Sequence, residues 1–212
     1  MTRNREPFIS LQLYRALKWS LIVPIFRFYL RGRVYGIENV PQAGPLVVVS
    51  NHASDFDPPI VAICMQRPVA FMAKEELFEV PLLKQIIYLY GAYPVKRGAA
   101  DRSAIRSALS YLDQGWAVGI FLSGTRTPDA RIPDPKLGAA LIAAKAQAPL
   151  VPVSVWGTQA VINKGLVMPK SVPVTLRIGQ LIDPPTSTKR EELQAVTEHC
   201  AAAIHALHDL GR

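Results

Sequence analysis

The chain has 212 residues, of which 50% are hydrophobic and 19% are charged. This length and composition suit one globular domain with a short appendage and exclude a disordered chain. Its 24 lysines and arginines exceed its 16 acidic residues, which gives a net charge of +8. The two cysteines, Cys64 and Cys200, are too few for a disulfide framework and lack zinc-site spacing, so we expect two buried thiols.

The excess positive charge is concentrated at the N-terminus. Residues 1–36 contain seven basic residues and one acidic residue, a net charge of +6, whereas the other 176 residues contain 17 basic and 15 acidic residues, a net charge of +2. A basic surface over the whole protein would favour nucleic acid as the partner. A nearly neutral body with a basic leader instead favours a local anionic surface such as a membrane.

The leader, residues 1–32, mixes aromatic and aliphatic side chains with arginine and lysine. Its longest uncharged run, Trp19 to Phe26, is far shorter than the roughly 20 residues that a membrane-spanning helix needs. Pro24 would also kink a helix, and no signal-peptide cleavage site follows. We predict an N-terminal amphipathic, membrane-associating helix that lies in the interface plane. The alternative is an ordinary amphipathic helix packed on its own domain.

The body, residues 33–212, alternates predicted strands and helices. Apolar, β-branched runs predict the strands, and longer periodic segments predict the helices. The strands are predicted over 33–37, 46–50, 69–73, 92–95, 117–122, 150–156 and 172–178, and the helices over 81–90, 101–114, 136–147 and 188–210. This order predicts an α/β domain with a largely parallel sheet flanked by helices. Ligands of such sheets collect at the carboxyl ends of the strands.

A polar cluster directly follows the predicted strand 46–50. It contains Asn51, His52 and Asp57. His52 and Asp57 are five residues apart, about 140° around an ideal helix, so they meet only in a turn or a distorted first helical turn. An imidazole held by a carboxylate keeps the tautomer that can remove a proton from a hydroxyl. The structural alternative is an Asx-rich loop that caps the next helix.

A second polar segment, Ser123-Gly124-Thr125-Arg126, follows the predicted strand 117–122. Gly124 permits close backbone approach, Thr125 offers a hydroxyl, and Arg126 offers a planar fork suited to phosphate. The segment matches neither a nucleophile elbow nor a P-loop. The alternative is a β-turn with a solvated arginine.

Further cations follow two other predicted strands. Lys74 comes after strand 69–73, and Lys96 and Arg97 come after strand 92–95. Singly, each is typical of a solvated charge. Together with a general base, cations at several strand ends indicate a phosphate-bearing substrate with a hydroxyl to be activated.

Three histidines, His199, His205 and His208, lie on the predicted closing helix. They lack a carboxylate partner pattern, so we expect them to be surface or packing residues.

Taken together, these residues resemble the glycerolipid acyltransferases, specifically the 1-acylglycerol-3-phosphate acyltransferase family, over roughly residues 33–180. Four blocks occur in the order of that family. They are Asn51-His52-x4-Asp57, Gly91 through Arg97, Gly124-Thr125-Arg126, and Val151-Pro152-Val153. The resemblance implies a glycerol-3-phosphate acyltransferase-like fold for residues 33–212.

The resemblance also implies roles for individual residues. His52 and Asp57 would be catalytic, with His52 as the general base. The residues that bind the substrate phosphate would be Arg97, Arg126, Lys74, Gly124 and Thr125, and those that shape the site would be Asn51, Ser123 and Pro152. No metal is implied.

The implied reaction moves a fatty acyl group from an acyl thioester to the free hydroxyl of 1-acyl-sn-glycerol 3-phosphate, which gives phosphatidic acid for phospholipid biosynthesis. The acyl donor, on acyl carrier protein or coenzyme A, is a co-substrate, and no other cofactor is implied. The implied partners are this donor and the anionic lipids of a membrane surface, not nucleic acid. The enzyme would associate with the cytoplasmic face of the membrane.

The third block departs from the family pattern Pro-Glu-Gly-Thr-Arg, because Ser123 replaces the glutamate. This leaves open another acceptor, such as a different lyso-lipid or glycerol 3-phosphate. A catalytically silent lipid-binding relative is a further alternative, against which the intact His52 and Asp57 argue. A basic nucleic-acid-binding protein is another, against which the nearly neutral body argues.

Overall fold

The protein is described here by a computed structural model that covers residues 20, 22–79, 84, 87, 92–95, 102–161 and 170–212. Within these residues the chain forms a seven-stranded sheet. Its strands are β1 (Arg33–Tyr35), β2 (Leu46–Ser50), β3 (Val69–Lys74), β4 (Tyr93–Val95), β5 (Ala117–Phe121), β6 (Leu150–Trp156) and β7 (Thr175–Ile178). Their order across the sheet is β1-β7-β6-β2-β5-β3-β4. All pairs are parallel except β6 with β7, which confirms a largely parallel sheet.

Four α-helices whose bounds are described cover both faces of this sheet. They are α1 (Asp57–Cys64), α2 (Arg102–Asp113), α3 (Gly138–Ala146) and α4 (Arg190–Asp209). Leu46 and Val48 of β2 face one core cluster, which includes the apolar side chains of α1. Val47 and Val49 face the other, which includes side chains of α2, α3 and α4. The apolar run of β2 therefore follows from its burial on both faces.

The central position of β2 decides where the site lies. All five residues of β2 are buried, and the strand pairs with β5 on one side and with β6 on the other. Because these three strands are parallel, the segments after Ser50, Phe121 and Trp156 emerge at the same edge of the sheet.

Strands β1 and β7 are shorter than the sequence predicted by two and three residues, for identifiable reasons. The strand predicted over 33–37 ends at Tyr35, because Gly36 turns into the left-handed region at φ 77°. A Cβ at Gly36 would lie 2.1 Å from the carbonyl oxygen of Ile178. The strand predicted over 172–178 begins at Thr175, since Pro173 cannot donate a backbone hydrogen bond to the sheet.

The remaining predicted elements agree with the structure to within two residues at each end where they are described. Helix α1 was not among the predicted helices, because its proline-rich start is a weak helical signal even though proline is tolerated at the first helical position. Of the helix predicted over 81–90, Lys84 and Ile87 are helical and the other residues lie outside the described part of the chain. Cys64 and Cys200 are buried free thiols, as expected.

The described end of the leader packs on the domain. A short π-helix, Ile25–Tyr29, inserts Phe26 into the core beside Leu30. The same turn leaves Ile25, Phe28 and Tyr29 exposed. No helix in the described residues is long and apolar enough to cross a membrane. Residues 1–19 and 21, most of the predicted interfacial helix, lie outside the described part of the chain.

Candidate active site

The site begins where β2 ends. The chain leaves the sheet at Ser50, and two residues later His52 Nδ1 lies 2.9 Å from Asp57 Oδ2. His52 is almost buried, and Asp57, the first residue of α1, is completely buried. The predicted pair therefore meets through a turn that leads into a helix.

The carboxylate of Asp57 fixes the state of the imidazole. Its Oδ2 atom also accepts hydrogen bonds from the backbone N–H groups of Ala53 at 2.7 Å and Ser54 at 2.8 Å. An ionised carboxylate can only accept hydrogen bonds, so the proton shared with Asp57 belongs to Nδ1, and in that neutral tautomer Nε2 has the free lone pair. The position of Asp57 at a helix N-terminus further stabilises its negative charge.

One face of the His52 ring is covered by Phe121. The two rings are nearly parallel, with their centroids 4.0 Å apart and an angle of 13° between them. Phe71 of β3 stacks on Phe121 in turn, with centroids 5.5 Å apart. The ring of His52 is thus held both by a hydrogen bond in its plane and by an aromatic contact on its face.

Asn51 links the start of the segment between β2 and α1 to the neighbouring strand β6. Its side-chain amide donates to the carbonyl of Val155 at 2.9 Å and to that of Ala130 at 3.0 Å, and its Oδ1 accepts from Val155 N at 2.8 Å. This buried side chain joins the ends of β2 and β6 and the loop that follows β5. Asn51 therefore fixes the start of the segment that carries His52 against β6.

The loop after β5 returns to His52. Gly124, in the left-handed region at φ 67°, closes a tight turn by donating its backbone N–H to Phe121 O at 3.0 Å. Thr127 N donates to His52 O at 2.9 Å. The buried Ser123 donates its hydroxyl to the carbonyl of Thr125 at 2.5 Å, so it stabilises the turn. Gly124 and Thr125 themselves are exposed and accessible to a ligand.

Arg126 of this loop forms an ion pair with Asp55, which lies between His52 and Asp57 in sequence. Both side chains are exposed. Arg126 was a predicted site residue, whereas its partner Asp55 and the aromatic residue Phe121 were not. The signal for Asp55 was an extra carboxylate inside the first block, and the signal for Phe121 was an aromatic residue at the very end of a strand.

The other predicted site residues are less completely described. The backbone of Lys74 ends β3 opposite Val95, at the same edge of the sheet. Arg97 lies outside the described residues. Pro152 lies inside β6 opposite Val49, and its ring is close to Gly179, so its described contacts belong to sheet packing.

Helix α4 contacts the loop that follows β5. His205 Nε2 accepts a hydrogen bond from Ile132 N at 3.0 Å, and His208 Nδ1 lies 3.2 Å from Ser154 Oγ. Burial lowers the pKa of His208, and nearby Arg131 lowers it further. His205 and His208 are thus packing residues and His199 is exposed, as expected.

No group of three or more His, Cys, Asp or Glu side chains in the described segments is arranged to hold a metal ion.

A family model matches the part of the chain that holds this site. The model described as "Acyltransferase" matches residues 31–156, more than half of the chain and the part that holds His52, Asp57 and Arg126. The chain belongs to the acyltransferase family.

Individual members of the family are similar over much of the chain. The 1-acyl-sn-glycerol-3-phosphate acyltransferase of Bacillus subtilis is 33% identical over 85% of this chain and 90% of that protein. The crystal structure of the 1-acyl-sn-glycerophosphate acyltransferase PlsC from Thermotoga maritima has a TM-score of 0.70 at 28% identity, over 94% of this chain and 87% of that chain. The chloroplastic enzyme BAT2 of Brassica napus is 31% identical over 69% of this chain, which spans only 43% of that longer protein.

Proposed function

We propose that this chain transfers a fatty acyl group from an acyl thioester to the free hydroxyl of 1-acyl-sn-glycerol 3-phosphate, giving phosphatidic acid in phospholipid biosynthesis. The observation that carries the proposal is the buried His52–Asp57 pair at the end of β2, with Nδ1 bound to the carboxylate. The names of the Bacillus subtilis and Thermotoga maritima proteins, both 1-acylglycerol phosphate acyltransferases, support the same reaction.

In the proposed mechanism, Nε2 of His52 takes the proton of the acceptor hydroxyl as its oxygen attacks the thioester carbonyl. Asp57 stabilises the imidazolium that forms. The tetrahedral intermediate collapses to the ester, and the departing thiolate recovers the proton from His52. The proton of the acceptor hydroxyl thus ends on the thiol product, and this step requires no covalent acyl-enzyme, metal or redox cofactor.

The acceptor is oriented by its phosphate. Arg126 is exposed, and the backbone N–H of the next residue, Thr127, donates a hydrogen bond to the carbonyl of His52. An anion bound to the guanidinium of Arg126 would therefore lie near the base. The exposed Gly124 and Thr125 would extend this site, and Lys74 and Arg97 would add charge from the neighbouring strand ends. The donor thioester would come from acyl carrier protein or coenzyme A.

A panel of acceptors tests the proposal. With a labelled acyl thioester, we expect transfer to 1-acyl-sn-glycerol 3-phosphate to exceed transfer to glycerol 3-phosphate and to lyso-phospholipids without a phosphate monoester. His52→Ala should lower kcat by at least about 100-fold, since general-base catalysis contributes about 10²–10⁴-fold.

The exposed His199 provides the matched control, because His199→Ala removes a histidine far from the site in sequence and should leave kcat unchanged. If His52→Ala kept more than about a tenth of the wild-type kcat, the general-base role of His52 would be excluded. A preference for another acceptor would favour the second candidate, an acyltransferase of the same fold with a different acceptor. The replacement of the family's glutamate by Ser123 is the observation that favours it.

We also propose that residues 1–32 hold the enzyme at the cytoplasmic face of the membrane and that residues 33–212 form the catalytic domain. The exposed Ile25, Phe28 and Tyr29 support this, because they stand beside the exposed cations Arg27 and Arg31. Apolar side chains next to arginines suit the boundary between acyl chains and anionic headgroups.

A further inference from the structure

The arginine that the proposed function assigns to the acceptor phosphate already has a partner. Arg126 and Asp55 form an ion pair between the two segments that flank His52. Asp55 lies in the middle of a turn in which Asp57 N donates to Ser54 O at 3.1 Å. Because Ser54 and Asp57 are buried, this turn anchors the backbone of Asp55 between His52 and α1, while the carboxylate stays exposed.

We infer that Asp55 is an exchangeable counter-ion of Arg126, which the acceptor phosphate displaces on binding and which re-pairs with Arg126 as the product leaves. This inference rests on the proposed function, because it takes Arg126 as the phosphate ligand. It adds a specificity-determining residue, Asp55, that sets the affinity of the site for phosphate.

The weakness of the ion pair makes the exchange possible. The side chains of Arg126 and Asp55 are 52% and 74% exposed, and exposed ion pairs contribute only about 0–1 kcal/mol. A phosphate monoester brings about −1.5 to −2 charges and three acceptor oxygens, which suit the guanidinium fork better than one carboxylate does. The phosphate therefore displaces the Asp55 carboxylate from Arg126, and part of its binding free energy is used to break the ion pair.

This cost falls on the acceptor and the product alike, because acylation of the hydroxyl leaves the phosphate unchanged. An interaction common to ground state and transition state changes KM without raising kcat. Asp55 thus raises the KM for the acceptor and weakens inhibition by the product. Its repulsion of a displacing headgroup also grows with the charge of that headgroup.

Asp55→Asn tests the inference, because it removes the charge with little change in shape. We expect the KM for 1-acyl-sn-glycerol 3-phosphate and the inhibition constant of phosphatidic acid each to fall about two- to fivefold, which matches the free energy of an exposed ion pair. The kcat value should not rise. An unchanged or higher KM would overturn the inference.

Two further variants separate this effect from a general change of charge. Asp113→Asn removes an exposed carboxylate at the end of α2, where β5 begins and at the opposite edge of the sheet from the site, and should leave the KM unchanged. In an Arg126→Gln background, Asp55→Asn should no longer lower the KM, since the partner is gone. An equal decrease in that background would show that Asp55 does not act through Arg126.

An equilibrium measurement distinguishes failure of the inference from failure of the proposed function. The probe is the 2-deoxy analogue of the acceptor, which carries the phosphate but lacks the reacting hydroxyl, titrated calorimetrically in mixed micelles. Tighter binding to Asp55→Asn than to wild type supports the inference even if the wild-type chain transfers no acyl group to 1-acylglycerol 3-phosphate. Equal or weaker binding, or no binding to either, overturns it.

Discussion

At the scale of single residues, the orientation of the His52 ring has two independent supports. Asp57 holds Nδ1 in the plane of the ring, and Phe121 covers one face at a centroid distance of 4.0 Å. The hydrogen bond alone leaves the ring free to tilt about the Nδ1–Oδ2 direction. The aromatic contact restricts that tilt and so directs Nε2 toward one place, which makes Phe121 a positioning residue.

Phe121→Leu should lower kcat by about two- to tenfold, which corresponds to the 0.5–1.5 kcal/mol of one aromatic pair. The KM for the acceptor should not change, because the proposed phosphate ligands are intact. Steady-state kinetics measures this separation, and Phe121→Tyr should restore kcat. An NMR spectrum should also show an aromatic ring-current shift of the His52 ring protons that disappears in Phe121→Leu but not in Phe121→Tyr. Unchanged kcat in the leucine variant would exclude the positioning role.

At the scale of elements, α4 acts as a brace for the loop that carries Arg126. His205 accepts the backbone N–H of Ile132, and Arg131 pairs with Asp209 near the end of the helix. His208 reaches Ser154 of β6, next to the strand residue that Asn51 binds. The helix therefore connects the sheet to the loop through polar contacts as well as through its apolar face.

The buried His208 should make folding stability depend on pH. Burial lowers its pKa below the ordinary value of 6.5, so in the window between the two values the unfolded chain binds a proton that the folded chain does not. The free energy of unfolding should therefore fall as the pH decreases through and below about 6.5. Among the titratable groups around His208, Arg131 and His205 also lower its pKa, whereas Asp209 and Asp129 oppose that change.

Denaturant titrations between pH 7.5 and about 5 measure this dependence. His208→Gln should flatten it, since glutamine keeps a hydrogen-bonding group toward Ser154 but does not titrate. His199→Gln, on the exposed side of the same helix, should leave the slope unchanged. Equal slopes for wild type and His208→Gln would mean that His208 does not contribute.

At the scale of the whole molecule, charge and apolar surface are divided between two regions. Residues 1–36 have a net charge of +6 and the rest of the chain only +2. The described end of the basic region also exposes large apolar side chains, and Phe28 is 83% accessible. An anionic membrane surface suits this combination better than nucleic acid does, since nucleic acid would need the cations without the apolar patch.

Replacing Ile25 and Phe28 together by serine should weaken binding to vesicles of anionic phospholipid by at least about tenfold, given the 1.5–3 kcal/mol for burying each such side chain. Cosedimentation at several salt concentrations measures this, with duplex DNA as the competing ligand. Leu210→Ser removes an exposed leucine at the far end of the chain and is the matched control. Unaltered vesicle binding by the double variant, or tighter binding to DNA than to vesicles, would contradict the membrane proposal.

Much of this organisation is determined by the sequence itself. The apolar, β-branched run of β2 can only be buried on both faces, and the polar residues after it must then lie at the edge of the sheet. The spacing of His52 and Asp57 excludes one helical face, and the structure joins them through a turn and the first residue of α1. Local periodicity and spacing are sufficient for such features because they act within a few residues.

The tertiary structure alone decided which distant residues complete the site. Phe121 stacks on His52 because β5 lies next to β2 in register, with Ser50 opposite Phe121. The same neighbourhood places Arg126 beside Asp55, 71 residues earlier in the chain. No local pattern encodes the order of strands in a sheet, since that order depends on the packing of all helices and strands at once. The sequence therefore predicted a base and its carboxylate, and only the fold showed that Phe121 stacks on the imidazole and that Asp55 pairs with the arginine.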